Sequence, residues 1–366
     1  MYTATKSKIR PSKRQYGRLV KAFGAFRYVY NWALQYKKEQ YSKNKRTVGY
    51  RSLIKSINEM KQNQTCLQDV DTKIVEQAIY VLKSAFEAYS KGRAGFPKFK
   101  RKANDQTIRM VDGFSLCGNV LQTDLFGDFQ LEDRFSLTGD IRFLTIELLK
   151  NGDFYVAFNY DDDKELPELP AVEKDSAVGI DLGIHTLIYC SDGRHYSNPE
   201  FYHQALPRLN KLKKKLESKE EGSNTYKEIQ RTISNELLAV ENRRKDYYHK
   251  IINDLLTAGY STIFIEKLDI QRMMSIPSIK DRLVDTQLFL LIRMLKYKAR
   301  RAGINVIEID PFYPSSQVCH CCGFVNKKLT LHDRHWRCPD CGAELERDYN
   351  AAINILHRGL NLSGIT

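Results

Sequence analysis

AVGIDLGIHTLIYCSDG, residues 177–193, carries two short apolar runs on either side of a polar turn, and the first run stops on a carboxylate, Asp181. Runs of this length bounded by glycine read as two buried strands joined by a turn. A charged side chain at the end of a buried strand is costly unless it is paired or bound to a cation.

The same signature recurs further along the chain. STIFIEKL (261–268) reads as a strand whose apolar run, Thr262 to Ile265, ends on Glu266. A long helix is expected near 283–302, then a strand, INVIEID (304–310), and a last helix, RDYNAAINILHRGL (347–360), with Asp348 at its start. Helical segments over 205–258 are broken by Gly222-Ser223-Asn224. Singly, each acid reads first as a structural hydrogen-bonding residue. Three of them in strand–strand–helix order suggest a ribonuclease H-like sheet whose acids meet at one edge. That arrangement can hold two Mg²⁺ ions roughly 4 Å apart for in-line phosphodiester cleavage.

Five of the eight cysteines fall between Cys319 and Cys341. Cys319-x2-Cys322, fifteen residues, then Cys338-x2-Cys341 is the spacing of a four-thiolate zinc site. Gly323 and Gly342 follow each pair, where glycine permits the tight turn that aims backbone N–H groups at sulfur. Cys321, His320, His332 and His335 are substitute ligands. Four protein ligands leave no open position, so such a zinc is structural. Cys66, Cys117 and Cys190 are scattered and read as ordinary buried thiols.

The charge of +14 is unevenly spread. Residues 1–50 hold 13 basic residues and one acid, Glu39; KGRAGFPKFKRK (91–102) holds six basic residues and none acidic. Such stripes attract phosphate backbones. Aromatics lie among them (Tyr16, Phe23, Phe26, Tyr28, Tyr30, Trp32, Tyr36, Tyr41), and aromatic faces stack on unpaired bases, so nucleic acid is the expected partner. Some of these rings must be core. The phosphate-contact candidates are Arg14, Arg18, Lys98, Lys100, Arg101 and Lys102. His249 reads either as a histidine packed at a helix interface or as a further nucleic-acid contact.

No run of 18 apolar residues occurs, so no membrane span is expected. The basic start lacks the apolar stretch of a secretory signal, and a reduced, cytoplasmic protein is expected. Residues 14–90 read as helices, with GRLVKAFGAFRYVYNWALQYKK and DTKIVEQAIYVLKSAFEAYSKG at helical spacing and Gly92, Gly95 and Pro97 ending them. From about 105 to 160, FSLCG, VLQTD, FLTIELL and FYVAFNY, with NGD as a hairpin turn, read as a small antiparallel barrel, to which the segment before Pro11 adds a strand. DDDKELPELPAVEKD (161–175) reads as a linker.

GIDLGIHTLIYCSDG, TIFIEKLDI and SSQVCHCCG…WRCPDCG…ERDYNAAINIL resemble the three RuvC nuclease motifs and inserted zinc ribbon of TnpB proteins, the transposon-encoded relatives of the type V CRISPR effectors. FPKFK (96–100), YVYNWAL (28–34) and RKDYYHKIINDLL (244–256) carry the resemblance over nearly the whole chain. Lys267 and His185 depart from the commonest pattern, and neither is a metal ligand. The resemblance implies a catalytic triad of Asp181, Glu266 and Asp348 binding Mg²⁺ or Mn²⁺, with structural Zn²⁺ on Cys319, Cys322, Cys338 and Cys341. It also implies a guide RNA derived from the element, a double-stranded DNA target and, by expectation, one protein per RNA.

The fold class implied is multidomain, α/β plus α+β. A wedge-like β-barrel covers 1–12 and 95–165, with a helical recognition lobe over 13–94 and a linker over 166–175. A ribonuclease H-like (RuvC) nuclease domain covers 176–314 and 346–366, with the zinc ribbon over 315–345. The implied activity is RNA-guided, metal-dependent DNA cleavage beside a short duplex motif, in the cytoplasm and at the nucleoid when on DNA. The other function classes are a nuclease-dead RNA-guided repressor, which would lose acids, and a transposase performing strand transfer.

Overall fold

In the computed structural model all residues are described except Met1, Arg46, Phe135, Ser136, Thr138, Phe312, Leu331, His332 and Thr366; the side chains of Tyr2, Cys66, Ile270, Gln271 and Ser278 are not described. The chain divides into two compact units, residues 1–165 and 166–366.

In the first unit, β1 (Tyr2–Ile9) leads into α1 (Lys13–Asn44), which Ser12 and Gln15 start with a reciprocal capping box. Buried Leu19, Ala22, Phe23, Phe26, Val29, Tyr30, Ala33 and Leu34 recur at three- and four-residue steps, the stripe that packs a helix on a core. Three further helices follow: α2 (Tyr50–Asn63), α3 (Thr65–Gln68) and α4 (Thr72–Ser90), the last capped by Asp71. Then come β2 (Gln106–Met110), β3 (Phe114–Cys117), β4 (Val120–Thr123), β5 (Phe129–Gln130), β6 (Ile141–Leu148) and β7 (Phe154–Asp161). β6 and β7 form the hairpin expected at NGD, with Gly152 at φ +87°. β1 joins β7 antiparallel over eight residues, as the segment before Pro11 suggested.

The expected barrel does not close. β1, β7, β6 and β2 form an open antiparallel sheet in that order, while β3, β4 and β5 form a second sheet; Ile9 of β1 bridges Leu131, just after β5, and Glu132 N donates to Lys8 O at 3.1 Å. The reason is what covers the apolar face. Ile108, Met110, Leu144, Ile146, Phe154, Val156 and Phe158 share one core with α1 and α4, so helices fill the space a barrel would enclose. Strands of four and two residues, such as β4 and β5, also offer too few ladder bonds to bridge β1 and β2.

In the second unit, a 3₁₀ turn (Lys174–Ser176) precedes β8 (Ala177–Asp181), β9 (Thr186–Cys190) and β10 (His195–Ser197). A helical hairpin, α5 (Phe201–Glu217) and α6 (Asn224–Leu256), leads to β11 (Thr262–Glu266). Next are α7 (Ile270–Met274), α8 (Pro277–Thr286), α9 (Leu288–Ala302) and β12 (Asn305–Ile309). The chain continues through β13 (His335–Arg337) and β14 (Glu344–Glu346) into α10 (Arg347–Leu362).

The sheet order is β10-β9-β8-β11-β12; β9 is antiparallel to β8, and β8, β11 and β12 are parallel. β11 is buried on both faces: Ile263 and Ile265 pack with α6 and α9, and Phe264 packs with Ile355 and Leu360 of α10. The helix expected near 283–302 is two helices. Gln287 between them is left-handed at φ +43°, and the carbonyl before it, on Thr286, accepts the Tyr248 hydroxyl. Asp285, just upstream, is buried and accepts from Tyr202 N at 2.9 Å and His203 Nδ1 at 2.8 Å.

Cys190 is buried as expected, whereas Cys117 is exposed, at the last position of β3 before the Gly118 turn. The Cys66 side chain lies outside the described residues.

Candidate active site and metal centre

Two glycines decide where α10 lies. A β-carbon on Gly179 would stand 2.2 Å from the Ala352 carbonyl oxygen and 2.5 Å from Leu356 N; one on Gly359 would stand 2.2 Å from the Phe264 ring. Backbone of β8 therefore touches backbone of α10, and β11 seats its phenyl ring in the gap at Gly359. Nothing larger fits either place.

The carboxylates follow from that packing. Ile180 and Ile265 are register partners in the parallel β8–β11 ladder, so Asp181 and Glu266, the next residues, leave neighbouring strands at the same C-terminal edge. Asp348 is buried in the first turn of α10, behind the N-cap Glu346, which accepts from Tyr349 N at 3.0 Å. Burial, then the charges of Asp348 and Glu266, push the Asp181 carboxyl up to about 8; burial also raises Glu266. Asp181 thus senses both other acids, and carboxylate oxygens are the donors that Mg²⁺ or Mn²⁺ takes. Among the described residues, though, ligand atoms within 4.8 Å of one another are found at the four cysteines and not at the three acids.

Basic groups ring this edge. Arg334 Nη1 donates to Asp348 Oδ2 at 2.9 Å and Oδ1 at 3.1 Å, and Arg347 donates to Oδ1 at 3.1 Å through Nη2. Arg282 of α8 contacts the His185 ring. Burial, then Arg282 and Arg334, lower the His185 pKa, so its imidazole is biased toward the neutral form.

The cysteine cluster is built by two matching turns. Cys319 N donates to Phe324 O and Gly323 N to Cys319 O, both at 2.8 Å; Cys338 N donates to Ala343 O at 2.8 Å and Gly342 N to Cys338 O at 2.9 Å. Gly323 and Gly342 sit at φ +79° and +74°, which a side chain would resist. The sulfurs of Cys319, Cys322, Cys338 and Cys341 lie within 4.8 Å of one another, a four-sulfur set that suits a tetrahedral soft-ligand metal. His320 turns away, its Nδ1 2.9 Å from Asn350 Oδ1; Cys321 and His335 are exposed, and His332 lies outside the described residues.

Sequence reasoning missed the groups that join these two centres. Asn350 and Asn354 are buried on α10 and donate to the Val318 carbonyl at 2.7 and 2.6 Å, fastening the entry to the cysteine turns. Two asparagines four residues apart on an otherwise apolar helix face were the available signal. Arg334 and Arg347 gave none, because a lone arginine in a loop is ordinary.

In the first unit, the rings between the basic residues sort into core and surface. Phe23, Phe26 and Tyr30 are buried; Tyr16, Tyr28, Tyr36 and Tyr41 are exposed, and Trp32 stacks on Tyr36 at 5.7 Å. A cavity of about 960 Å³ opens among Lys21, Arg27, Tyr28, Asn31, Trp32 and Phe99. Arg14, Lys98, Arg101 and Lys102 are exposed; Arg18, also exposed, donates to Leu125 O. Lys100 differs, its ammonium lying 5.0 Å from the Tyr30 ring centroid, with its pKa lowered by burial. His249 is exposed on α6.

Three family models match the chain. One described as a helix-turn-helix domain of OrfB proteins covers residues 1–46, one described as a probable transposase covers 157–277, and one described as a Cas12f1-like TNB domain covers 290–355. A putative RNA-guided DNA endonuclease of Streptomyces pristinaespiralis is 29% identical over 98% of this chain and 90% of its own length. The putative RNA-guided DNA endonuclease InsQ of Escherichia coli K12 is 26% identical over 97% and 92%. The chain is similar to OrfB-type transposases and to RNA-guided DNA endonucleases. Among solved structures, the Cas12f1 chain of a Cas12f1–sgRNA–target DNA complex is similar to this fold with a TM-score of 0.56 at 14% identity, over 94% of this chain and 82% of that one. The helix-turn-helix description does not fit the local structure: the described residues of 1–46 hold one strand and one 32-residue helix. Among the described residues no helix is long and apolar enough to cross a membrane.

Proposed function

We propose that this chain is an RNA-guided DNA endonuclease of a prokaryotic transposable element. A guide RNA from the element pairs with one strand of a double-stranded target, and the protein hydrolyses DNA phosphodiesters beside a short duplex motif. The five-stranded sheet is read as a ribonuclease H-like, RuvC-type nuclease core, and the cysteine turns as its zinc ribbon. The zinc is structural, since four sulfurs leave no position for substrate.

The observation that supports the reading is the Asp181 carboxyl at the C-terminal edge of β8, pushed up to about 8 by burial and the charges of Asp348 and Glu266. Such crowding is unfavourable for structure alone and is relieved by divalent cations. Bound there, Mg²⁺ or Mn²⁺ supplies charge neutralisation at the scissile phosphate and a lowered pKa for attacking water. Asp181 and Glu266 fix the strand-end ligand positions, and Asp348 closes the set from the helix. The basic and aromatic surface of α1 and of residues 96–102 serves nucleic acid, with exposed Arg14, Arg18, Lys98, Arg101 and Lys102 toward phosphates. Lys100, held over Tyr30, shapes that surface.

The test is to purify the protein from cells carrying its own locus, sequence the bound RNA, and offer plasmids complementary to it. Mg²⁺-dependent breaks at complementary sites support the reading. Joined strand-transfer products, or bound targets left uncut, would replace it.

A further inference from the structure

Asp348 faces two guanidinium charges. Arg334 Nη1 lies against both of its oxygens, at 3.1 and 2.9 Å, and Arg347 donates to Oδ1 through Nε at 3.2 Å and Nη2 at 3.1 Å. A divalent ion reaching Asp348 meets both positive charges, and Nη1 stands between the two oxygens where a chelated ion would lie. Departure of one guanidinium would therefore strengthen ion binding.

The surroundings say which. The Arg347 side chain is 13% exposed and belongs to α10 itself, one residue from Asp348. The Arg334 side chain is 35% exposed and reaches across from the ribbon loop between the two cysteine pairs. Its backbone is fixed independently of its side chain, since the Arg334 carbonyl accepts Arg347 N at 2.8 Å beside the β13–β14 ladder. The guanidinium can swing while the ribbon stays docked.

A DNA phosphate is an anion that a guanidinium can bind in place of a carboxylate, and bidentately. We propose that Arg334 is a substrate-exchanged latch. It occupies Asp348 until a DNA phosphate reaches the edge, then turns to that phosphate and relieves Asp348 of one positive charge, so that the divalent ion binds. Metal loading is thereby coupled to arrival of the strand to be cut, and ions bind weakly without it. The inference rests on the proposed nuclease reading and adds regulation of the same site.

The experiment measures Mn²⁺ binding by electron paramagnetic resonance on the zinc-loaded protein, with and without a non-hydrolysable phosphorothioate single strand. Arg334→Gln, without DNA, is expected to bind Mn²⁺ about tenfold or more tightly than the wild type, from release of one charge-assisted pair. The oligonucleotide is expected to tighten binding in the wild type by a similar factor and to change Arg334→Gln little. Equal affinities of the two proteins without DNA, or equal tightening of both by DNA, would overturn the latch. Should Arg334→Gln lose its zinc, Arg334→Met, which keeps the apolar stem but not the charge, carries the comparison with the same expected gain. Asp181→Ala separates the two layers. If it abolishes Mn²⁺ binding while Arg334→Gln matches the wild type, the latch fails and the nuclease reading stands; if Mn²⁺ binding survives Asp181→Ala, the acid edge is not the ion site and both fall.

Discussion

The cysteine turns lead within a few residues into Asp348 of the acid edge, yet the two centres are assembled in opposite ways. Each pair of sulfurs is placed by its own five-residue turn, closed by backbone hydrogen bonds and a positive-φ glycine, so half the site forms locally. The acids come from two strands and a helix up to 167 residues apart, and nothing local brings them together. Backbone contact at Gly179 and ring contact at Gly359 set β8, β11 and α10 against one another. A site built from turns is expected to fail with its ligands, and a site built from packing to fail with its glycines.

The largest effect expected from breaking this comparison is chemical. Asp181→Ala should lower the cleavage rate by ~10³-fold or more while target binding by the RNA complex persists, because a lost ligand removes transition-state stabilisation only. Single-turnover cleavage beside a filter-binding assay checks it, and a normal rate would remove Asp181 from the triad.

Cys338→Ser should release the metal from the ribbon and cost several kcal/mol in that region, since metal binding and folding are coupled there. Zinc content by mass spectrometry and a thermal melt read the outcome. Full zinc occupancy would point to a substitute ligand among Cys321, His320 and His335.

Gly179→Ala should destabilise the protein by about 2–3 kcal/mol, because its added carbon meets backbone that cannot step aside. The ribbon's zinc should be unaffected, which separates the two modes of assembly. An unchanged urea midpoint would mean that α10 does not rest on β8 as described.

The smallest effect runs the other way. Asp181 titrates at about 8 when folded against an ordinary 3.8, so the folded state holds its proton more tightly. In metal-free protein its contribution to stability is therefore lost progressively as pH rises from 4 toward 8. Asp181→Asn should then be more stable than the wild type at pH 7.5, by about 1–2 kcal/mol, and should match it near pH 4. Chelated samples melted at both pH values test this; a variant less stable at both would contradict the crowding.

How much could be read from the residues differs between the two sites for the same reason. CxxCG twice, fifteen residues apart, states its geometry outright, because ligand and turn are neighbours in sequence. Asp181 and Glu266 were legible only as carboxylates ending apolar runs, and Asp348 as an acid opening the last helix; the proposed triad depends on β8 and β11 pairing in parallel and on α10 packing against them. Gly179 and Gly359 carried that information, but a glycine's need for space is invisible until its neighbours are known. The barrel expected over 105–160 failed similarly: strand alternation was right, but what covers the apolar face was decided by α1 and α4, far away in sequence. The helix near 283–302 broke at Gln287, where a buried tyrosine hydroxyl on α6 takes the carbonyl of Thr286.

Three oxygen donors around one divalent ion, on a scaffold that brings β8, β11 and α10 to a single edge, is what the whole account stands on. A structure of the protein with its RNA and an uncleavable target, soaked in Mn²⁺ and measured at the manganese absorption edge, examines this directly. The expected result is an anomalous peak about 2.2 Å from oxygens of Asp181, Glu266 and Asp348. Manganese bound elsewhere, with those three side chains turned apart, would contradict it.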